Sequence, residues 1–158
     1  MENSEWSEDE WYAKAARYCA AAEHCSSEVR EKLRQWGYEG DCAPVIERLR
    51  GDGYIDEARY CKAYVHDKAA FQGWGRRKIR MMLRSKGLPE DETEAALQGL
   101  DPEIYNGVLE HLVERKKGYD RDKLLRFLLQ RGFDYAEVAD LLPQIAADIR
   151  NTAAGSVF

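Results

Sequence analysis

The sequence predicts an all-α protein of three tandem three-helix repeats, stacked into an elongated, curved, solenoid-like rod. The first observation behind this is a recurring phrase. Leu33-Arg34-Gln35-Trp36-Gly37-Tyr38 returns as Leu83-Arg84-Ser85-Lys86-Gly87-Leu88 and as Leu128-Leu129-Gln130-Arg131-Gly132-Phe133, each with an apolar residue four places before its first Leu (Val29, Ile79, Leu124). The second is an upstream echo, Ala16-Arg17-Tyr18-Cys19 against Ala58-Arg59-Tyr60-Cys61, which makes the repeating unit longer than one helix. The third is periodicity: apolar residues fall at helical spacing (Val45, Ile46, Leu49; Val138, Leu141, Leu142, Ile145), and no hairpin dipeptide separates alternating runs. Repeats of about 45 residues are marginal alone, so neighbours are expected to share apolar surface. The radius of gyration should then exceed the roughly 15 Å of a compact chain of this length.

The helix boundaries follow from capping chemistry. Ser7-Glu8-Asp9-Glu10 is a capping box that opens a helix running to about His24. Ser26 or Ser27 starts the next, and Gly37 ends it. Asp41 with Pro44 opens a third helix to about Arg50, and Asp52-Gly53 is a linker turn closing repeat one (1–53). In repeat two (54–100), Asp56 starts a helix to about Phe71, with Ile55 stapled onto Tyr60; Gly75 opens a basic helix that stops at Gly87. Pro89 suits the first position of a short helix to about Leu97. In repeat three (101–150), Asp101-Pro102 begins a helix that Lys116-Lys117-Gly118 ends, and a second runs from about Asp120 to Arg131. Asp134-Tyr135-Ala136-Glu137 caps the last helix, which Pro143 should kink or break. Residues 151–158 are expected to form a flexible tail.

Composition excludes several classes. The 158-residue chain is 44% hydrophobic and 11% aromatic, enough for a packed core, and no stretch approaches the ~20 apolar residues of a membrane span. The acidic start, Met1-Glu2-Asn3-Ser4-Glu5, resembles neither a secretory signal nor a transit peptide. Four scattered cysteines (Cys19, Cys25, Cys42, Cys61) lack CxxC clustering and read as reduced thiols of a cytoplasmic protein.

Catalytic signatures are missing. His24, His66 and His111 have no metal-ligand spacing, and there is no GxSxG, Walker A or dinucleotide fingerprint. The Glu90-Asp91-Glu92 cluster sits in a first helical turn, where acids favour the positive dipole end. No enzyme, metal or cofactor is expected.

Charge supplies the functional signal. Net charge is -5, yet residues 54–100 carry nine bases against seven acids, and residues 73–87 hold six bases (Arg76, Arg77, Lys78, Arg80, Arg84, Lys86) with no acid. Arg76, Arg80 and Arg84 recur every four residues as a stripe opposite Ile79 and Leu83. A merely soluble face is normally laced with Glu–Lys pairs, so this one is read as a contact surface for something anionic. Lys116, Lys117, Arg121 and Lys123 form a second basic cluster at the matching start of repeat three's middle helix. Trp74 either stacks on a nucleobase or fills a helix seam; its repeat counterpart is Tyr119. The acidic third helices of repeats two and three would repel phosphates, which argues against sequence-specific reading of duplex DNA.

Gly53-Tyr54-Ile55-Asp56-Glu57-Ala58-Arg59-Tyr60, then Tyr64-Val65, then Gly73-Trp74-Gly75-Arg76-Arg77-Lys78-Ile79 through Leu88, resembles the signature of the bacterial RecX family, regulators of the RecA recombinase. The likeness is specific over about residues 51–100. It implies an all-α, non-enzymatic, monomeric protein lodged in the groove of the RecA filament on single-stranded DNA. There it would restrain ATPase, strand exchange and the coprotease activity that triggers the SOS response. Carried over, the motif gives Arg76, Arg77, Lys78, Arg80, Arg84 and Lys86 the binding role, with Trp74 and Gly75 shaping the helix start. The competing expectation is a helical nucleic-acid-binding protein that acts without RecA.

Overall fold

Ser7 caps the first helix, its Oγ accepting the Glu10 N–H at 3.3 Å. The computed structural model describes residues 5–140. Pro143, the apolar Leu141, Leu142 and Ile145, and the 151–158 tail lie outside the described residues. The helices are α1 (Glu8–Ala21), α2 (Ser26–Gln35), α3 (Cys42–Gly51), α4 (Glu57–Ala70), α5 (Arg76–Ser85), α6 (Glu90–Gln98), α7 (Pro102–Arg115) and α8 (Arg121–Gln130). A further helix, α9, is described over 135–140, and no strand occurs among the described residues. The fold is all-α.

The three copies of the repeated phrase adopt one geometry. Each middle helix ends on a glycine in the left-handed region (Gly37 φ 100°, Gly87 φ 80°, Gly132 φ 96°), where other residues are strained. The next residue returns its N–H to the leading Leu: Tyr38 to Leu33 O at 2.9 Å, Leu88 to Leu83 O at 3.1 Å, and Phe133 to Leu128 O at 3.1 Å. The glycine N–H reaches the carbonyl one residue after that Leu in each copy. These paired bonds satisfy carbonyls that a helix end leaves unpaired. Val29, Leu33, Ile79, Leu83, Leu124 and Leu128 are all buried, as the shared register predicts.

Two boundaries differ from expectation, the end of α1 and the start of α6. Helix α1 stops at Ala21 because Ala22 is extended, which turns His24 back to stack on Tyr18 with ring centroids 3.8 Å apart. Helix α2 starts at Ser26 as read, behind Cys25 as its cap, whose N–H is accepted by Glu28 Oε1 at 3.1 Å. Pro89 precedes α6, its carbonyl accepting the Thr93 N–H at 3.0 Å, and thus takes the cap position instead of the first helical one.

The chain divides into two compact units, one of residues 1–63 and 83–96, the other of 64–82 and 97–158; α4 and α5 each pass from one to the other. In the first unit Trp11, Ala15, Val29, Leu33, Val45, Ile46, Leu49 and Ile55 form a core ringed by Trp6, Tyr12, Tyr18, Trp36 and Tyr38. Glu57, at the start of α4, accepts hydrogen bonds from Ser26 Oγ at 2.9 Å and Arg50 Nη2 at 2.7 Å, joining the ends of three helices. In the second unit the buried residues include Val65, Ile79, Leu97, Leu100, Tyr105, Leu109, Leu124, Leu128, Phe133 and Val138. All four cysteines are free and buried, and burial pushes the Cys19 thiol up to about 11, consistent with inert thiols.

Candidate partner-binding surface

The basic helix α5 begins against the end of α8, within the second unit. Gly75 donates its N–H to Arg131 O at 2.8 Å, Arg77 its N–H to Gly132 O at 3.1 Å, and the Arg77 guanidinium to Leu129 O at 2.8 Å. Unpaired donors at one helix start thus meet unpaired acceptors at another helix end, and the two dipoles align favourably. The approach needs two glycines. A Cβ on Gly75 would overlap the Gly132–Phe133 backbone, and one on Gly132 would overlap Lys78. The first unit holds a related joint: Ser27 Oγ at the start of α2 donates to Lys86 O, just past the end of α5, at 2.7 Å, and Lys86 Nζ lies 3.6 Å from Glu28.

The basic residues of α5 separate into two groups in this setting. Arg76 is engaged in packing: its guanidinium lies 4.0 Å from the Tyr105 ring centroid, Nη1 bonds Glu137 Oε1 at 2.8 Å, and its side chain is only 28% exposed. Glu137 also accepts the Tyr105 hydroxyl at 3.1 Å and the Asp134 N–H at 2.9 Å. The residue predicted to cap the last helix therefore also anchors α5 and α7. Burial pushes the Tyr105 hydroxyl well above its ordinary pKa, so at neutral pH it donates to Glu137. Arg76 thus does not continue a solvent-facing stripe with Arg84, which is 70% exposed and 3.7 Å from Glu90. Arg77 is exposed, while Lys78 and Arg80 are half-buried.

Trp74 is half-buried, with Lys78 Nζ 4.3 Å and Lys68 Nζ 4.8 Å from its ring and Tyr64 edge-on at 6.5 Å. Such placements favour the cations through the ring quadrupole. Tyr119 repeats the pattern: Lys123 lies 4.3 Å and Lys116 5.3 Å from its ring. Lys117 pairs with Glu114 at 2.6 Å, and Arg121 is exposed. Lys68 escaped the sequence reading because it stands on α4, six residues before Trp74 in the connection to α5; local spacing gives no hint that the turn returns Trp74 beside it.

Among the described residues, no cluster of three or more His, Cys, Asp or Glu could hold a metal ion, and no helix is long and apolar enough to cross a membrane.

A family model described as the first three-helix domain of RecX matches residues 12–49, and one described as the second matches residues 56–97. The chain is 31% identical over 144 residues to the regulatory protein RecX of Pectobacterium atrosepticum, covering 87% of each chain. It is 32% identical over 121 residues to that of Thermus thermophilus, covering 77% of this chain and 82% of the relative. The fold is similar to a crystal structure of RecX from Lactobacillus salivarius, with a TM-score of 0.73, 21% identity, and 89% and 97% of the two chains covered. A second crystal structure, of regulatory protein RecX, gives a TM-score of 0.74 at 23% identity, covering 84% of this chain and 71% of that one. Two domain matches in the order of the sequence repeat, with relatives aligned over most of both chains, show that this chain belongs to the RecX family.

Proposed function

We propose that this chain is a negative regulator of RecA, binding as a cytoplasmic monomer in the groove of the RecA–single-stranded DNA filament and restraining its ATPase, strand exchange and coprotease activities. Its relatives carry the name regulatory protein RecX, which supports the coarse role. The observation that carries the finer reading is the α5 surface, which places exposed Arg77 and Arg84 and half-buried Lys78 and Arg80 in a segment without one acid. Such a face suits acidic protein surfaces and phosphates, and screening should weaken it as salt rises. Lys86, Trp74, Lys116, Lys117, Arg121 and Lys123 are further proposed partner-binding residues, whereas Arg76 ties α5 to Glu137.

The paired lysines around Trp74 and Tyr119 favour a second reading, nucleic-acid binding without RecA. Salt-titrated binding to naked single-stranded DNA and to RecA filaments separates the two. The RecA reading requires much tighter binding to the filament and slower ATP hydrolysis by RecA. Equal affinity for both targets with unchanged hydrolysis would support the alternative.

A further inference from the structure

We infer that Met81 is the apolar anchor of the α5 surface and that it inserts into an acidic protein surface bearing an apolar recess; this rests on the reading that α5 faces the RecA filament. A single exposed apolar side chain is ordinary on a protein surface. Two features set this one apart. Met81 is 62% exposed, on a helix whose buried side is already supplied by Ile79 and Leu83. Its position is also outward-facing in all three copies of the repeat. Aligning Val29, Ile79 and Leu124 places Glu31 and Arg126 opposite Met81, and both are exposed. Packing thus asks for no apolar residue there. The middle repeat alone of the three has a thioether where its siblings are charged, and it does so on the most basic helix.

The surroundings specify the partner. Arg77 and Lys78 stand four and three residues before Met81, one helical turn away and beside it on the surface. An unbranched thioether flanked by cations matches a recess rimmed by carboxylates, since methionine adapts its three rotatable bonds to irregular apolar hollows. Methionine and arginine are both enriched at protein–protein interfaces, and central desolvated anchors carry most of the binding energy there. Single-stranded nucleic acid presents flat bases and phosphates, which flat aromatic rings and cations serve and a thioether does not.

The test compares wild type, Met81→Ala, Met81→Glu and Arg77→Ala by binding to RecA–single-stranded DNA filaments and to naked single-stranded DNA across a salt series. Circular dichroism and thermal melts should confirm that each variant stays folded. Met81→Ala should weaken filament binding by about tenfold with an unchanged salt slope, in the range of an anchoring side chain. Met81→Glu should weaken it further, and neither should alter binding to naked DNA. Arg77→Ala should instead flatten the salt dependence. Filament binding by both Met81 variants as tight as wild type would overturn the inference, and so would an equal loss on naked DNA, which would mark position 81 as facing nucleic acid. Failure of the wild type itself to bind the filament would remove the functional reading and this inference together.

Discussion

Glu137 shows how one side chain can serve several helices. Its carboxylate receives Arg76, the Tyr105 hydroxyl and the Asp134 N–H, so Glu137→Ala would leave three donors short of a partner, two of them on side chains held inside the second unit. Each buried unsatisfied group costs about 1–3 kcal/mol, and a loss of at least that size is expected in urea unfolding, with Glu137→Gln recovering part of it. Glu57 does similar work in the first unit and gives a pH signature. The hydrogen bond from Arg50, aided by Ser26, holds its carboxyl below the usual carboxylate range. A lowered folded-state pKa contributes stability above the unfolded value of about 4.3, and that contribution is lost as pH falls through the folded value. Replacing Glu57 by Gln should therefore flatten the acid limb of a stability–pH profile below about pH 5 and lower stability at pH 7. At the repeat positions, Leu33→Ala, Leu83→Ala and Leu128→Ala should each cost about 2–4 kcal/mol, because all three are fully or almost fully buried. Neutral substitutions there would refute the common register.

At the scale of the element, the joint between α5 and α8 rests on glycines that cannot be exchanged. A methyl group at Gly75 meets backbone atoms of Gly132 and Phe133, which cannot swing aside as a flexible side chain would. Gly75→Ala should cost about 1–3 kcal/mol by overpacking. Gly132→Ala should cost more, since it adds a left-handed φ of 96° to its clash with Lys78. The helices themselves were largely legible in the sequence, because caps and glycine stops are local signals: Ser7, Asp41, Asp101 and Asp120 all cap as read. What stayed hidden was set by distant partners. Nothing near Gly75 says that α8 would seat against it, and nothing near Arg76 says that Glu137, sixty-one residues later, would claim its charge. At the end of α1 the extended Ala22 leaves no marker in the sequence, since neither glycine nor proline stands there. Met81 was visible in principle, since aligning the three copies exposes the exchange of charge for thioether.

For the whole molecule, membership of the RecX family and the basic face of α5 lead to one functional account. We propose that cations on α5 restrain RecA. The most direct test is single-stranded-DNA-dependent ATP hydrolysis by RecA in the presence of wild type and of Arg77→Glu/Arg84→Glu, a pair chosen because both residues are exposed and neither belongs to the Glu137 anchor. Arg84→Glu changes an exposed charge that contributes little to folding, whereas Arg77→Glu also gives up the exposed bond to Leu129 O, so the double variant should melt below wild type by the loss of about one such bond and remain folded. The account predicts that wild type slows hydrolysis, less so as salt rises, and that the folded double variant loses most of this inhibition. A folded double variant that inhibits as strongly as wild type would contradict it.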